Sequence, residues 1–280
     1  MVDRRAASPS GGGPVSVQSE QGIATLCLDR PEKRNAVDLE MWAAIGDQCR
    51  ALADDPSVKV LIVRGAGDHF CAGADIDGLR WDDAAYRRIN LEAAAALAEF
   101  PNPSIAFIRG SCIGGGVQIA AACDMRLADT TARLGITPAR LGILYPPSSL
   151  QRLLELVSPS SAKHLLFSAE LIDAARALRI GLLDEVHEPG DAEARLATLA
   201  TLLADQRSQL TQQASKAMID ALQATGRVDE DLAARWADEL ATADDPGEGV
   251  AAFLERRPPQ FSWSRPAHRS VGPAPTDSAG

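Results

Sequence analysis

The chain has 280 residues, 46% of them hydrophobic and 24% charged, enough for one large α/β domain with a smaller helical appendage. Its 28 Lys and Arg stand against 38 Asp and Glu, a formal net charge of −10, which argues against a nucleic-acid scaffold or a binder of anionic membrane as its role. Five cysteines (Cys27, Cys49, Cys71, Cys112 and Cys123) without a CxxC pair, and four scattered histidines, argue for a reducing compartment and against a disulfide frame or a metal site.

Residues 1–14, MVDRRAASPSGGGP, are poor in apolar groups and hold no apolar signal segment, so a disordered tail and a cytoplasmic location are expected. Two β-like runs, VSVQ and IATLCL, flank Gln21-Gly22 and predict a hairpin across Val15 to Leu28. Beyond the turn Asp29-Arg30-Pro31, apolar residues at helical spacing predict a helix over Leu39 to Ala53. The β-branched run Val58 to Arg64 reads as a buried strand. The Ala-rich stretch Asp82 to Ala98 reads as a helix, broken by Pro101-Asn102-Pro103 before a strand at Ser104 to Arg109. Gly114 to Ala122 opens with three glycines and continues as a helix, and Met125 to Asp129 reads as a strand. The uncharged run Ser111 to Cys123 is too short to cross a bilayer. Helices are expected over Ser160 to Phe167, Asp173 to Leu178, Ala192 to about Thr225, and Asp229 to about Leu254. A second disordered tail is expected at 264–280. Strand–helix alternation predicts an α/β core with largely parallel strands over 15–205, and a helical region over 206–263 suited to a subunit contact.

Two glycine-containing turns join strands to expected helix starts: Phe70-Cys71-Ala72-Gly73-Ala74-Asp75-Ile76, and Gly110 to Gln118. Small residues there let a ligand reach main-chain N–H groups, and a helix N-terminus favours negative charge. Two such turns side by side suit a developing oxyanion; close packing at a strand–helix corner is the plainer reading. The GGGVQ run is neither a dinucleotide fingerprint nor a P-loop, since the flanking GxGxxG and GK[ST] patterns are missing.

Six segments in order, DRPEKRNAV (29–37), VKVLIVRGAGDHFCAGADI (58–76), PNPSIAFIRGSCIGGGVQIAAACDMRLAD (101–129), LGITPARLGILYPPSSLQRL (134–153), SAELIDAARALRIGLLDEV (168–186) and GVAAFLERRPPQF (249–261), resemble the crotonase (enoyl-CoA hydratase/isomerase) family over about Val15 to Phe261. The resemblance implies a spiral of ββα units with a helical C-terminal region, trimers or dimers of trimers, an acyl-CoA thioester as ligand, a place in lipid metabolism, and no cofactor beyond the coenzyme A carried by the substrate. It implies oxyanion-hole N–H groups at Ala72 and Gly115, and CoA or substrate contacts at Lys33, Arg34, Ala36, Ala74, Asp75, Ile76, Pro138 and Gly142. Arg256 and Arg257 are further candidates for CoA phosphates, and a solvated turn is the plainer reading of Lys33-Arg34, ranked below the CoA role because of the motif.

The chain departs from the family where typical hydratases carry two glutamates: Gln118 stands at the first position and Pro138 at the second. Neither moves protons at neutral pH, so general acid–base help worth ~10²–10⁴-fold per group is missing. Gln118 retains the capacity to orient a water or a carbonyl. The stretch ITPARLGILYP is similar to the methylmalonyl-CoA decarboxylase branch, with Tyr145 at its tyrosine, although Ala74 stands where that branch has a histidine. Tyr145 then orients a carboxylate or relays a proton; the plainer reading is a packing tyrosine. Asp75 is expected to cap the element after the first turn. Three functions follow: an enzyme of decarboxylase or isomerase type, ranked first; a non-catalytic acyl-CoA carrier or sensor; and an atypical hydratase with an acid supplied by Asp77 or another subunit.

Overall fold

The computed structural model describes residues 13–80 and 82–265; the expected tails at 1–12 and 266–280 lie outside the described residues. The chain opens with β1 (Val15–Glu20) and β2 (Ile23–Leu28), then α1 (Leu39–Asp54), β3 (Val60–Gly65), α2 (Ala84–Ala98), β4 (Ser104–Ile108), β5 (Ser111–Ile113), α3 (Gly115–Ala122), β6 (Met125–Asp129) and β7 (Arg133–Gly135). It continues through α4 (Pro138–Leu141), α5 (Pro147–Leu156), α6 (Pro159–Ser168), β8 (Ile172–Asp173), α7 (Ala174–Arg179) and β9 (Glu185–His187). The helices α8 (Pro189–Asp205), α9 (Gln209–Thr225), α10 (Glu230–Thr242) and α11 (Asp245–Glu255) close it.

Six strands form one sheet in the order β1-β2-β3-β4-β6-β9, parallel throughout except for the β1–β2 hairpin. Gln21 and Gly22, both at positive φ, make the two-residue turn whose twist matches the flanking strands. A second sheet, β5-β7-β8, stands apart from the first. The central strands are covered on both faces, which is why β3 and β4 are almost continuously apolar. Val60 and Ile62 share one apolar cluster with Ala192, Leu196, Ala200 and Ala204, a stripe at i, i+4, i+8 and i+12 of α8. Leu61 and Val63 face the opposite way, into the main core with Trp42 and Ile45 of α1 and Leu97 of α2. Helix starts are set by side-chain caps: Asp38 accepts from the Met41 N–H at 2.9 Å, and Asp83 from those of Ala85 and Tyr86.

The sequence reading needs four corrections. The glycine-rich segment 110–118 is not one turn: Ser111–Ile113 pairs with Arg133–Gly135 as a strand before α3 begins. The expected continuous helix from Ala192 breaks at 206–208, where the Ser208 hydroxyl caps a new start by accepting from the Thr211 N–H. The segment Asp229 to Leu254 splits at Ala243, because Pro246 suits only a first helical turn. Helix α5 went unread because it opens on Pro146-Pro147, a pair that reads as a breaker but serves as a helix start.

The C-terminal helices hold to the core through polar anchors. The Gln213 amide donates to Asn102 Oδ1 at 2.6 Å, and Lys216 pairs with Asp124 at 2.8 Å. Arg257 forms a two-point ion pair with Glu248 at 2.6 and 2.8 Å, so its guanidinium is spent within the C-terminal segment and is not free for CoA phosphates. No helix among the described residues is long and apolar enough to cross a membrane.

Gly116 packs so closely that a Cβ there would stand 2.5 Å from the Cys71 carbonyl oxygen, a main-chain atom that cannot move aside. Gly116→Ala is expected to lower stability by about 1–3 kcal/mol in urea unfolding. Gly190→Ala in α8, which has open space, should be neutral or slightly stabilising in the same assay.

Candidate active site

The segment after β3 is built as a strip of main chain held from both sides. Phe70 N–H donates to Arg109 O, Cys71 N–H to Ser111 O, and Ile113 N–H returns to Cys71 O, all at 2.8–3.0 Å. On the other side Val37 N–H donates to Gly73 O and Asp75 N–H to Val37 O. The 34–37 turn that makes these bonds is itself fixed by Asn35, which is fully buried and left-handed. Its side chain accepts from the Arg30 N–H and donates to Ala66 O and His69 O.

This register corrects the first expected donor. The Ala72 N–H points at Arg34 and donates to its carbonyl at 2.9 Å, so it is unavailable to a ligand. The Ala74 N–H takes no partner among the described residues, and neither does that of Gly115, the first residue of α3. The two lie together: a Cβ on Gly115 would stand 3.3 Å from Ala74 N, and one on Gly73 (φ +106) would stand 2.8 Å from Ile113 O and 3.6 Å from Gly115 N. Glycine at 73 and 115 is what lets these two backbones meet.

Both N–H groups open into a cavity of about 940 Å³. Of the expected site residues, Ala72, Ala74, Ile76, Gly115, Gln118, Pro138, Gly142 and Tyr145 line it. Lys33, Arg34, Ala36 and Asp75 do not. Arg34 is exposed and Ala36 buried behind the turn. Lys33 ties to Asp77 at 2.8 Å and lies 3.7 Å from Asp75. Asp75 caps a 3-10 turn through the Asp77 N–H and pairs with Arg30 at 2.9 Å, and the Arg30 guanidinium holds its carboxyl below the usual range. Asp75 is therefore a structural tie, and Asp77 is an exposed partner of Lys33 outside the cavity.

Among the described residues no Asp, Glu, His, Lys or Cys lines the cavity. Gln118, almost fully buried on α3, donates to Asn90 Oδ1 at 2.8 Å, and Asn90 Nδ2 returns to Gln118 Oε1 at 3.5 Å. Sequence reading missed Asn90, although it falls with Tyr86, Ala93 and Leu97 on the helical stripe of α2 that turns inward. A lone amide in a buried stripe was the available signal. Pro138 begins the single turn of α4, which Gly142 (φ 70) ends, and that turn carries Arg140 to the cavity wall. Tyr145 directs its hydroxyl to Gly114 O at 3.5 Å, a weak bond. Burial pushes that hydroxyl well above its ordinary range, so it stays protonated and acts as a donor.

No thiol here is poised as a nucleophile. The Cys71 thiol is fully buried within the strip, and burial pushes it up to about 12. No group of three His, Cys, Asp or Glu side chains is placed to hold a metal ion among the described residues. Thiol titration with a disulfide reagent at pH 8 is expected to leave Cys49, Cys71, Cys112 and Cys123 unreacted in the folded protein and to count five thiols after unfolding.

The model of the family "Enoyl-CoA hydratase/isomerase" matches residues 18–264. Crotonyl-CoA hydratase of Syntrophomonas wolfei is 32% identical over 255 residues, covering 88% of this chain and 97% of the relative. The 2,3-dehydroadipyl-CoA hydratase of Escherichia coli is 31% identical over 253 residues, with 88% and 97% covered. Among solved structures, an enoyl-CoA hydratase/carnithine racemase from Magnetospirillum magneticum superposes with a TM-score of 0.85 at 30% identity, covering 90% of this chain and 96% of that one. An enoyl-CoA hydratase/isomerase family member does so with 0.83 at 33%, covering 90% and 99%.

Proposed function

The chain belongs to the enoyl-CoA hydratase/isomerase family, and on that premise we propose that it binds an acyl-CoA thioester with the carbonyl oxygen between the N–H groups of Ala74 and Gly115, and stabilises the enolate formed from it. The observation that supports this is the meeting of two unpartnered N–H groups on the wall of a large cavity. Donors already aimed at a carbonyl gain strength as negative charge develops on it, and they need no reorganisation when it does.

The same cavity disfavours water addition by paired acids, because no carboxylate lines it. Chemistry that generates the enolate without a protein base fits better. In decarboxylation of an α-carboxyacyl (malonyl-type) thioester, the bond between Cα and the carboxylate breaks. Its electron pair moves into the thioester as an enolate, and CO₂ leaves. Cα then takes one proton, from water or from the Tyr145 hydroxyl, which is buried at the start of α3 and still protonated. The hydroxyl is restored from solvent.

A carrier or sensor is the second reading, favoured by the Asn90–Gln118 amide pair, which occupies both side chains and transfers no protons. Turnover separates the two. Crotonyl-CoA should lose its enoyl absorbance no faster than the uncatalysed rate at micromolar enzyme, while an α-carboxyacyl (malonyl-type) CoA ester should release CO₂. Rapid hydration would overturn the argument from missing carboxylates, and tight binding with no turnover of either ester would leave the carrier. Gly115→Pro, which removes one donor and sets a Cβ 3.2 Å from Trp42 and 3.3 Å from Ala74 N, is expected to lower the CO₂-releasing rate by at least ~10²-fold and to lower the thermal midpoint as well.

A further inference from the structure

We infer that Arg140 is the specificity-determining cation of this cavity, recognising a carboxylate carried by the acyl group, so that the ligand is the monothioester of a dicarboxylic acid. The inference rests on the acyl-CoA reading above and names the class of acyl chain within it.

Several arginines of the chain are spent on carboxylates. Arg30, Arg64, Arg126, Arg195 and Arg257 each pair with an Asp or Glu at 2.6–2.8 Å. That is expected where 38 acids face 28 bases. Arg140 lines the cavity, and its guanidinium has no ion pair or hydrogen bond with any described side chain or carbonyl. Its main chain is fixed, since Arg140 N–H donates to Thr137 O at 3.0 Å within the single turn of α4. The cavity's other charged residue, Arg87, already engages a neighbour. An unpaired guanidinium on the wall of a carboxylate-free cavity calls for its counter-charge from the ligand. A planar fork of N–H donors matches a carboxylate in two-point geometry.

The role assigned is binding. A cation held against a departing carboxylate stabilises the ground state at least as much as the transition state, so its removal raises KM or Kd and spares kcat. Arg140 is also exposed, so its substitution leaves the core intact.

The test measures equilibrium binding of succinyl-CoA and butyryl-CoA, which share chain length and the CoA moiety and cannot lose CO₂ by this route. The quench of cavity-lining Trp42 reports occupancy. Wild type should prefer succinyl-CoA, and Arg140→Gln should weaken succinyl-CoA by roughly tenfold, leave butyryl-CoA within twofold, and bring the two near parity. Arg140→Lys should recover part of the preference. Equal loss for both esters would overturn the inference in favour of a contact to the CoA moiety, and no change would make Arg140 a solvated side chain. Butyryl-CoA binding without preference in wild type would overturn this inference alone. If wild type bound neither ester, the acyl-CoA reading would fall with it.

Discussion

Everything at the site depends on how closely two pieces of main chain approach. The strip from Phe70 to Asp75 is hydrogen-bonded on both sides, to 109–113 and to 34–37, and the start of α3 is pressed against it. A Cβ at Gly73 would meet Ile113 O, and one at Gly116 would meet Cys71 O. Contact at that distance forces glycine at both places. It also decides which N–H groups are spent on the fold and which are left over. Ala72 is spent on Arg34, while Ala74 and Gly115 are left over. Which N–H is left over is thus a by-product of strand register, and a shift of two residues would put Ala72 where Ala74 now stands.

The turn at 34–37 is the second half of that clamp. Asn35 occupies a left-handed conformation at 0% exposure and satisfies one donor and two acceptors of the surrounding main chain. Arg30 ties Asp38 and Asp75 together across the same junction. Charged residues that look functional in the sequence here serve to hold the strip in place. This leaves the cavity with neutral donors and acceptors and with arginine at its wall.

That charge balance bounds the chemistry. A cavity holding preorganised N–H donors and no carboxylate is suited to accommodating negative charge and poorly suited to taking protons from water. Relatives whose names describe hydratases share the fold with this chain. The fold supplies the backbone donors; the side chains on α3 and α4 decide what is done with them. Gln118 and Pro138 are such side chains, and both line the cavity.

The sequence by itself determined the family, the alternating α/β plan, the parallel core strands and the two glycine turns, because these depend on local pattern: β-branched runs, helical stripes and small residues at fixed offsets. Only the tertiary structure decided that the Ala74 N–H and not that of Ala72 is left without a partner, that Asp75 and Lys33 bond to the protein itself, that Asn90 closes on Gln118, and that Arg140 lines the cavity unpaired. Each of these is a contact between segments far apart in the chain. Asn90 and Gln118 are 28 residues apart, and Asp75 and Arg30 are 45. A hydrogen bond has one direction per N–H, and which of two neighbouring amides points at a ligand is set by the strand beside it.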